Sequence, residues 1–187
     1  HATAMGPNVH EFESRVAALF GKKFGVMVNS GSSANIIAAR ILSLPKGSEI
    51  ITPVLTFSTT IAPFIQNGVV PAFVDVCEDT YQIDVNQVEA MITKKTKALV
   101  IPSLIGNLPD LARLRMIAKK YKLFFLEDSC DTLGATLNGN PTGSFSDISI
   151  TSFYGSHVIT AGGNGGMVCV NKEEWNRRAR ILRGWGR

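Results

Sequence analysis

The sequence predicts an α/β domain with a mostly parallel sheet flanked by helices, and three observations support this prediction. Segments typical of strands and of helices alternate along most of the chain. The predicted strands are near-continuous apolar runs, as expected where helices cover both faces of a sheet. The 187 residues, 45% of them hydrophobic, suit a single domain with a sizeable core.

The first half of the chain begins with a helix. Apolar residues at helical spacing predict it, at Val9, Phe12, Val16, Leu19 and Phe20. The next predicted elements are a strand at 24–28, a turn at 29–33, a helix at 34–42, a strand ending at Pro53, a short helix ended by Gly68 and a strand at 71–76.

The second half continues the alternation. Its predicted elements are a helix at 85–92, a strand at 97–103, a helix at 109–122, strands at 123–128, 147–153 and 166–170, and a helix at 171–182. The helix at 109–122 begins with proline and ends with basic residues, which are the preferred residues at each end.

The composition argues against several classes of protein. The net charge of +4 is spread over short basic pairs and the run RRAR, none long enough to indicate nucleic-acid binding. Cys77, Cys130 and Cys169 are widely spaced, so they predict neither a disulfide framework nor a metal site and favour a reducing compartment. No membrane span or signal peptide is visible, and we expect a cytoplasmic protein.

Polar residues follow four of the predicted strands, at the point where each strand ends. They occupy residues 30–33, 56–60, 127–131 and 152–157. Ligands of open parallel sheets bind at the carboxyl ends of the strands, so these residues are the candidates for a site.

The segment NSGSSA follows a strand and opens a helix. Gly31 allows a tight turn, while Ser32 and Ser33 add hydroxyls beside free helix N–H groups, an arrangement that binds phosphate. A simple N-cap would explain the same residues without a ligand, and caps are the commoner case.

The other strand ends offer a carboxylate, a ring, a hydroxyl and a base. Asp128, beside Glu127, could pair with a ring nitrogen, a sugar hydroxyl or a metal, or could merely cap a helix. Phe57 could stack on a ligand or fill the core. His157, five positions after Ser152, could act as a base near pH 7 or could be a structural loop residue.

These groups together are what a pyridoxal-type cofactor requires. Its phosphate needs N–H and O–H donors, and its ring needs a flat apolar partner. Its pyridine nitrogen needs an anion that holds the proton, because that proton makes the ring an electron sink.

The motifs resemble those of the DegT/DnrJ/EryC1/StrS sugar aminotransferase family over nearly the whole chain. The resemblance rests on NSGSSAN, GSEIITP, TFSTT, GNLPDL, LEDSCDTLGA, SFYGSH and NGGMV. It implies the large domain of the aspartate-aminotransferase fold (fold type I PLP) for residues 6–187. It also implies that the chain is a fragment without the smaller C-terminal domain. We set residues 1–5 aside as a remnant of an added tag.

His157 stands where this family usually has the lysine that forms a Schiff base with pyridoxal phosphate. The histidine and LEDSCDTLGA resemble one branch, the 3-dehydratases of nucleotide-linked 4-keto-6-deoxyhexoses. Imidazole cannot form an imine with an aldehyde, but it is a good general base. The resemblance thus implies a lyase that uses pyridoxamine phosphate or pyridoxal phosphate to remove the C3 hydroxyl. It would serve deoxysugar synthesis for surface polysaccharide such as the lipopolysaccharide O-antigen.

The resemblance also assigns roles to single residues. Phosphate binding falls to Gly31, Ser32, Ser33 and Ser152, ring stacking to Phe57, the pyridine nitrogen to Asp128, the phenolic oxygen to Asp131, and catalysis to His157. A homodimer with interfacial active sites is implied as well. The cysteines of an iron–sulfur cluster would lie beyond this chain, and a reductase partner is left open.

Two other functions remain open from the sequence. A pyridoxal-phosphate-dependent nucleotide-sugar aminotransferase would need a lysine elsewhere, and Lys172 is the nearest one downstream, although it follows the strand GMVCV. A catalytically silent paralogue would bind the cofactor or a nucleotide sugar without turnover.

Overall fold

A seven-stranded sheet organises the molecule. A computed structural model describes residues 5–184, so residues 1–4 and 185–187 lie outside the described part. The sheet strands are β1 (Phe24–Val28), β2 (Glu49–Pro53), β3 (Val70–Val74), β4 (Thr96–Pro102), β5 (Phe124–Asp128), β8 (Ile148–Ser152) and β9 (Gly166–Val170). A hairpin of β6 (Thr136–Leu137) and β7 (Asn140–Pro141) stands apart.

Six helices accompany the strands in the described residues. They are α1 (Pro7–Leu19), α2 (Gly31–Leu42), α3 (Ser58–Gln66), α4 (Val85–Val88), α5 (Leu111–Tyr121) and α6 (Glu173–Arg183). Asp110 caps α5 by accepting a hydrogen bond from the Arg113 N–H, as short polar residues commonly do at this position.

The strand order across the sheet is β1-β9-β8-β5-β4-β2-β3. The pairs from β8 to β3 are all parallel, whereas β9 runs antiparallel to both β1 and β8. The predicted α/β class with a mostly parallel sheet is therefore confirmed. Because β5 and β8 are parallel neighbours, Asp128 and the residues after Ser152 reach the same edge of the sheet.

Alternate residues of the central strands enter two different cores. Ala98 and Val100 of β4 belong to a cluster with α2 and α6, whereas Leu99 and Ile101 belong to a cluster with α5. Successive side chains of a strand point to opposite faces. The two clusters thus lie on opposite faces, which explains why the strands are continuous apolar runs.

Two local features differ from the sequence prediction. The helix predicted at 85–92 is only α4 followed by a 3₁₀ turn at Glu89–Met91. The β6–β7 hairpin was not predicted, although its turn residues Asn138 and Gly139 both have positive φ (51° and 75°). Asn-Gly is the commonest signal for such a turn. None of the described helices is long and apolar enough to cross a membrane.

Candidate functional site

A cavity of about 420 Å³ opens at the carboxyl ends of β4, β5 and β8, beside the N-terminus of α2. Seven of the eight site residues predicted from the sequence line it: Gly31, Ser32, Phe57, Asp128, Asp131, Ser152 and His157. The eighth, Ser33, is not among the lining residues.

The turn before α2 forms both a helix cap and an open helix end. Ser30 is the N-cap, and its hydroxyl accepts the Ser33 N–H at 3.1 Å. The Ser33 hydroxyl donates to Asn29 Oδ1 at 2.6 Å, so both polar groups of Ser33 have protein partners. The N–H groups of Gly31 and Ser32 have no acceptor within the helix and lie at the cavity. This end of α2 suits an anion.

Close packing brings Ser152 next to that turn. A methyl group at Gly31 would lie 2.7 Å from the Ser152 Cβ and 3.1 Å from the Cys130 Sγ. A methyl group at Gly166 would lie 2.2 Å from the Ser30 carbonyl oxygen. Only glycine at both positions lets β8 and β9 approach α2 this closely, and so the Ser152 hydroxyl joins the anion-binding end of the helix.

The Asp128 carboxylate is buried, with 5% of the residue exposed. Its Oδ2 accepts hydrogen bonds from Asn35 Nδ2 at 3.0 Å and from Thr60 Oγ1 at 2.8 Å. Its Oδ1 accepts the Cys130 N–H at 3.3 Å. These donors compensate for burial of the carboxylate. Burial of the Cys130 thiol, together with the nearby Asp128, raises the pKa of that thiol, which disfavours the reactive thiolate.

His157 and Asp131 face each other at the cavity. The His157 Nε2 lies 3.7 Å from Asp131 Oδ1. Asp131 Oδ2 accepts the Ile105 N–H at 3.0 Å, which fixes the direction of the carboxylate. The Tyr154 ring packs edge-on against the imidazole at 5.9 Å between ring centres. The His157 Nδ1 is buried without a protein partner within the described chain.

Phe57 lies at the mouth of the cavity with 69% of its surface exposed. The alternative that it is a core side chain is therefore wrong. Its backbone caps α3, and the Phe57 carbonyl accepts the Thr60 N–H at 3.0 Å. An exposed ring at a cavity mouth is available to stack on a flat ligand.

Glu127 points away from the cavity. Its fully buried carboxylate accepts hydrogen bonds from the hydroxyls of Ser129, Ser146 and Ser149. Strand alternation explains the split, because consecutive residues of β5 face opposite sides of the sheet. Burial lowers the pKa of nearby Lys22 to about 8, although Glu127 and Asp147 counteract it. Glu127 is thus structural and Asp128 is the carboxylate of the site.

Asn35, Thr60 and Ser103 also line the cavity, although no role was predicted for them and only Thr60 lies within one of the candidate stretches. Asn35 closes the quoted motif NSGSSAN and lies one helical turn after Gly31, and Thr60 closes TFSTT. That spacing was the available signal for Asn35. The 2%-exposed Ser103 follows β4, and its hydroxyl has no protein partner in the described part of the chain. No group of acidic, histidine and cysteine residues suited to a metal ion occurs within residues 5–184.

Helix-flanked parallel strands with an open helix end, a buried carboxylate and an exposed ring at one edge of the sheet define the fold type I aminotransferase-like class. The chain belongs to the DegT/DnrJ/EryC1/StrS aminotransferase family, whose profile matches residues 1–187. The family resemblance inferred from the motifs is confirmed.

Relatives in this family differ in the reaction that their names state. The chain is 42% identical to dTDP-4-dehydro-2,6-dideoxy-D-glucose 3-dehydratase of Saccharopolyspora spinosa, over 98% of the chain and 41% of the relative. It is 37% identical to a UDP-N-acetyl-3-dehydro-alpha-D-glucosamine 3-aminotransferase of Acidithiobacillus ferrooxidans, over 97% of the chain and 49% of the relative. The chain thus spans less than half the length of either relative.

Solved structures share the fold closely. The Escherichia coli GDP-4-keto-6-deoxy-D-mannose-3-dehydratase, solved with bound hydrated PLP, superposes with a TM-score of 0.88 at 34% identity. The match covers 96% of this chain and 46% of that enzyme.

Proposed function

We propose that the protein is a sugar 3-dehydratase that uses pyridoxamine phosphate, with pyridoxal phosphate as the related form, on a nucleotide-linked 4-keto-6-deoxyhexose. One observation carries the choice of reaction. An imidazole, not an amine, occupies the position five residues after Ser152, and no lysine is among the residues that line the cavity. The relatives named as 3-dehydratases support this proposal.

The cavity fits the proposed cofactor. Its volume lies within the range of about 300–1,000 Å³ found for small-ligand sites. The Ser103 hydroxyl, Asn35 Oδ1 and His157 Nδ1 are buried at this cavity without a partner in the described chain. Buried polar atoms are normally hydrogen-bonded, so these atoms indicate that a polar ligand completes the site.

Each part of the cofactor has a corresponding group in the protein. The N–H groups of Gly31 and Ser32 and the hydroxyls of Ser32 and Ser152 would bind the phosphate. The Ser33 hydroxyl, engaged with Asn29, would support the turn instead of contacting phosphate. Phe57 would stack on the ring.

Two carboxylates would contact polar atoms of the ring. Asp128 would pair with the protonated ring nitrogen, and Asp131 would lie near the phenolic oxygen. When bound, the cofactor supplies an electron sink for charge that develops during loss of a hydroxyl group.

His157 would move the proton in this reaction. Its Nε2 lies 3.7 Å from Asp131 Oδ1, so the carboxylate would help to orient the ring. Its Nδ1 has no protein partner in the described residues and would be the atom that accepts the proton. A neutral imidazole is effective in this role near pH 7.

The aminotransferase alternative requires a lysine at the cavity, and Lys172 is badly placed. Gly166 pairs with Ser152, whereas Val170 pairs with Ile148 at the other end of β8. At about 3.3 Å per residue, four residues of β9 separate the two ends by roughly 13 Å. The Lys172 ammonium instead lies 4.2 Å from the centre of the Trp175 ring.

Borohydride labelling of the full-length protein tests the choice between the two reactions. We expect saturable binding of pyridoxamine phosphate, and no stoichiometric lysine adduct after incubation with pyridoxal phosphate and reduction. His157→Lys is the matched positive control, because it places an amine at this position. One labelled lysine per wild-type chain would instead identify an aminotransferase. Binding without release of the C3 hydroxyl from any 4-keto-6-deoxyhexose nucleotide would identify a silent paralogue.

We also propose that the protein acts as a homodimer with the site at the subunit interface. Phe57 and Tyr154 support this, since both are large exposed side chains that line the cavity. Sedimentation of the full-length protein tests it, and a monomer with full activity would contradict it.

A further inference from the structure

The two oxygens of the Asp128 carboxylate have unequal surroundings. Oδ2 accepts two side-chain hydrogen bonds, from Asn35 at 3.0 Å and Thr60 at 2.8 Å. Oδ1 accepts the backbone N–H of Cys130 at a longer 3.3 Å, and the Cys130 side chain lies within hydrogen-bonding reach of the carboxylate. Hydrogen bonds to a charged oxygen are stronger than those between neutral groups. The carboxylate is therefore anchored through Oδ2, and Oδ1 keeps most of its capacity to accept.

We infer that Asn35 and Thr60 are positioning residues that direct Asp128 Oδ1 toward the ring nitrogen of the cofactor. This inference rests on the proposed function, since it requires a cofactor with a protonated ring nitrogen. Both residues are 1% exposed, so their hydrogen bonds to Asp128 are shielded from water.

The two donors belong to the same helices that carry the other ligand contacts. Asn35 lies one turn after Gly31 in α2, and the Thr60 N–H bonds to the Phe57 carbonyl at the start of α3. The carboxylate at the end of β5 is thereby held at a fixed place relative to the anion-binding turn and the stacking ring. A ligand that spans all three parts gains from this preorganisation.

Isosteric substitution of Thr60 in the full-length protein tests the inference. We expect Thr60→Val to weaken pyridoxamine phosphate binding about threefold to tenfold, as for loss of one hydrogen bond. The absorption maximum of the bound cofactor should shift, because the ring nitrogen holds its proton less firmly. Thr60→Ser should restore both within about twofold of wild type.

Asn35→Leu provides a second variant. The Asn35 Oδ1 is buried without a partner in the described residues, so an apolar side chain of similar size removes that unsatisfied atom. Because the buried Asp128 carboxylate loses one donor, we expect the variant to fold with a lowered melting temperature and to show the same loss of affinity and the same spectral shift. Thr142→Val is the matched control, since its hydroxyl is also buried and unpartnered in that part of the chain but lies outside the cavity.

Three results would overturn the inference. Thr60→Val and Asn35→Leu could bind with wild-type affinity and spectrum. Thr60→Ser could bind pyridoxamine phosphate as weakly as Thr60→Val, which would assign the loss of affinity to packing of the methyl group. Thr142→Val could show the same loss, which would indicate a general effect of buried hydroxyls. If the wild-type protein itself does not bind pyridoxamine phosphate, the proposed function fails together with the inference.

Discussion

At the scale of single residues, Gly166 controls how tightly the site is assembled. It pairs with Val28 on one side and with Ser152 on the other, and the Ser30 carbonyl lies directly over it. The atoms that a methyl group would meet are backbone atoms of Ser30 and Gly31, 2.2–2.7 Å away, which no side-chain rotation can move. A methyl group at this position would therefore disturb both the strand packing and the turn before α2.

We predict that Gly166→Ala lowers the free energy of unfolding by about 3 kcal/mol, as for severe overpacking. It should also weaken cofactor binding, because the Ser30–Gly31 turn must move away from Ser152. Urea unfolding and a binding titration measure the two effects. Gly155→Ala is the control, since a methyl group there meets nothing within 4 Å. Equal stability of the two variants would contradict the prediction.

At the scale of elements, one buried carboxylate joins α1, β1 and α6. Glu13 is 2% exposed and accepts hydrogen bonds from the Met27 N–H and from Arg180 and Arg183. Burial acts to raise the pKa of Glu13, but the Met27 N–H and the two arginines outweigh it, so the net pKa is lowered. Its stabilising contribution is complete above the unfolded-state pKa and is lost as the pH falls through the folded-state value.

We predict that Glu13→Gln destabilises the protein by about 3 kcal/mol at pH 7, because the arginines lose a desolvated partner. The difference from wild type should begin to shrink as the pH falls below the ordinary glutamate pKa of about 4.3, and should vanish only below the lowered pKa of the folded carboxylate. Glu11→Gln, on the same helix, removes only an exposed pair with Arg15 and should cost less than about 0.5 kcal/mol. Similar effects of the two substitutions on urea midpoints would exclude this account.

The helices and strands were largely predictable from the sequence, but which of them lie side by side in the fold was not. Hydrophobic periodicity depends on which side of an element is covered, and this is a local property. The pairing of β1 with β9, and the place of β9 between β1 and β8, depend on packing between distant segments. The same limit applies to the site. Asp128 and His157 could be predicted because they follow strands, but the hydrogen-bond donors to Asp128 lie on two helices whose packing against β5 cannot be read from a local sequence pattern.

At the scale of the whole molecule, the free energy of unfolding should change with pH in the alkaline range because of Lys22. This lysine is 6% exposed and donates to the Ser146 carbonyl at 2.6 Å. Burial lowers its pKa to about 8, against the opposing effect of Glu127 and Asp147. Between pH 8 and about 10.4, the unfolded chain thus holds more protons at this position than the folded chain does. Stability contributed by this group therefore rises with pH over that range.

We predict a gain on the order of 3 kcal/mol between pH 7.5 and 10.5 in wild type relative to Lys22→Met. Chemical unfolding at both pH values measures it, and the comparison cancels the groups that titrate in both proteins. A parallel response of wild type and variant would show that Lys22 keeps an ordinary pKa in the folded protein.

The antiparallel position of β9 has a consequence for how the chain is made. Phe24 of β1 pairs with Val170 of β9, and within residues 5–184 β1 lies at the sheet edge with β9 as its only strand neighbour. During synthesis at about 5–20 residues per second, the first strand waits roughly 7–30 s before its partner leaves the ribosome. In that interval its apolar residues have no sheet to join. A nascent chain stalled before β9 should therefore bind chaperones through its N-terminal segment and release them once β9 has emerged.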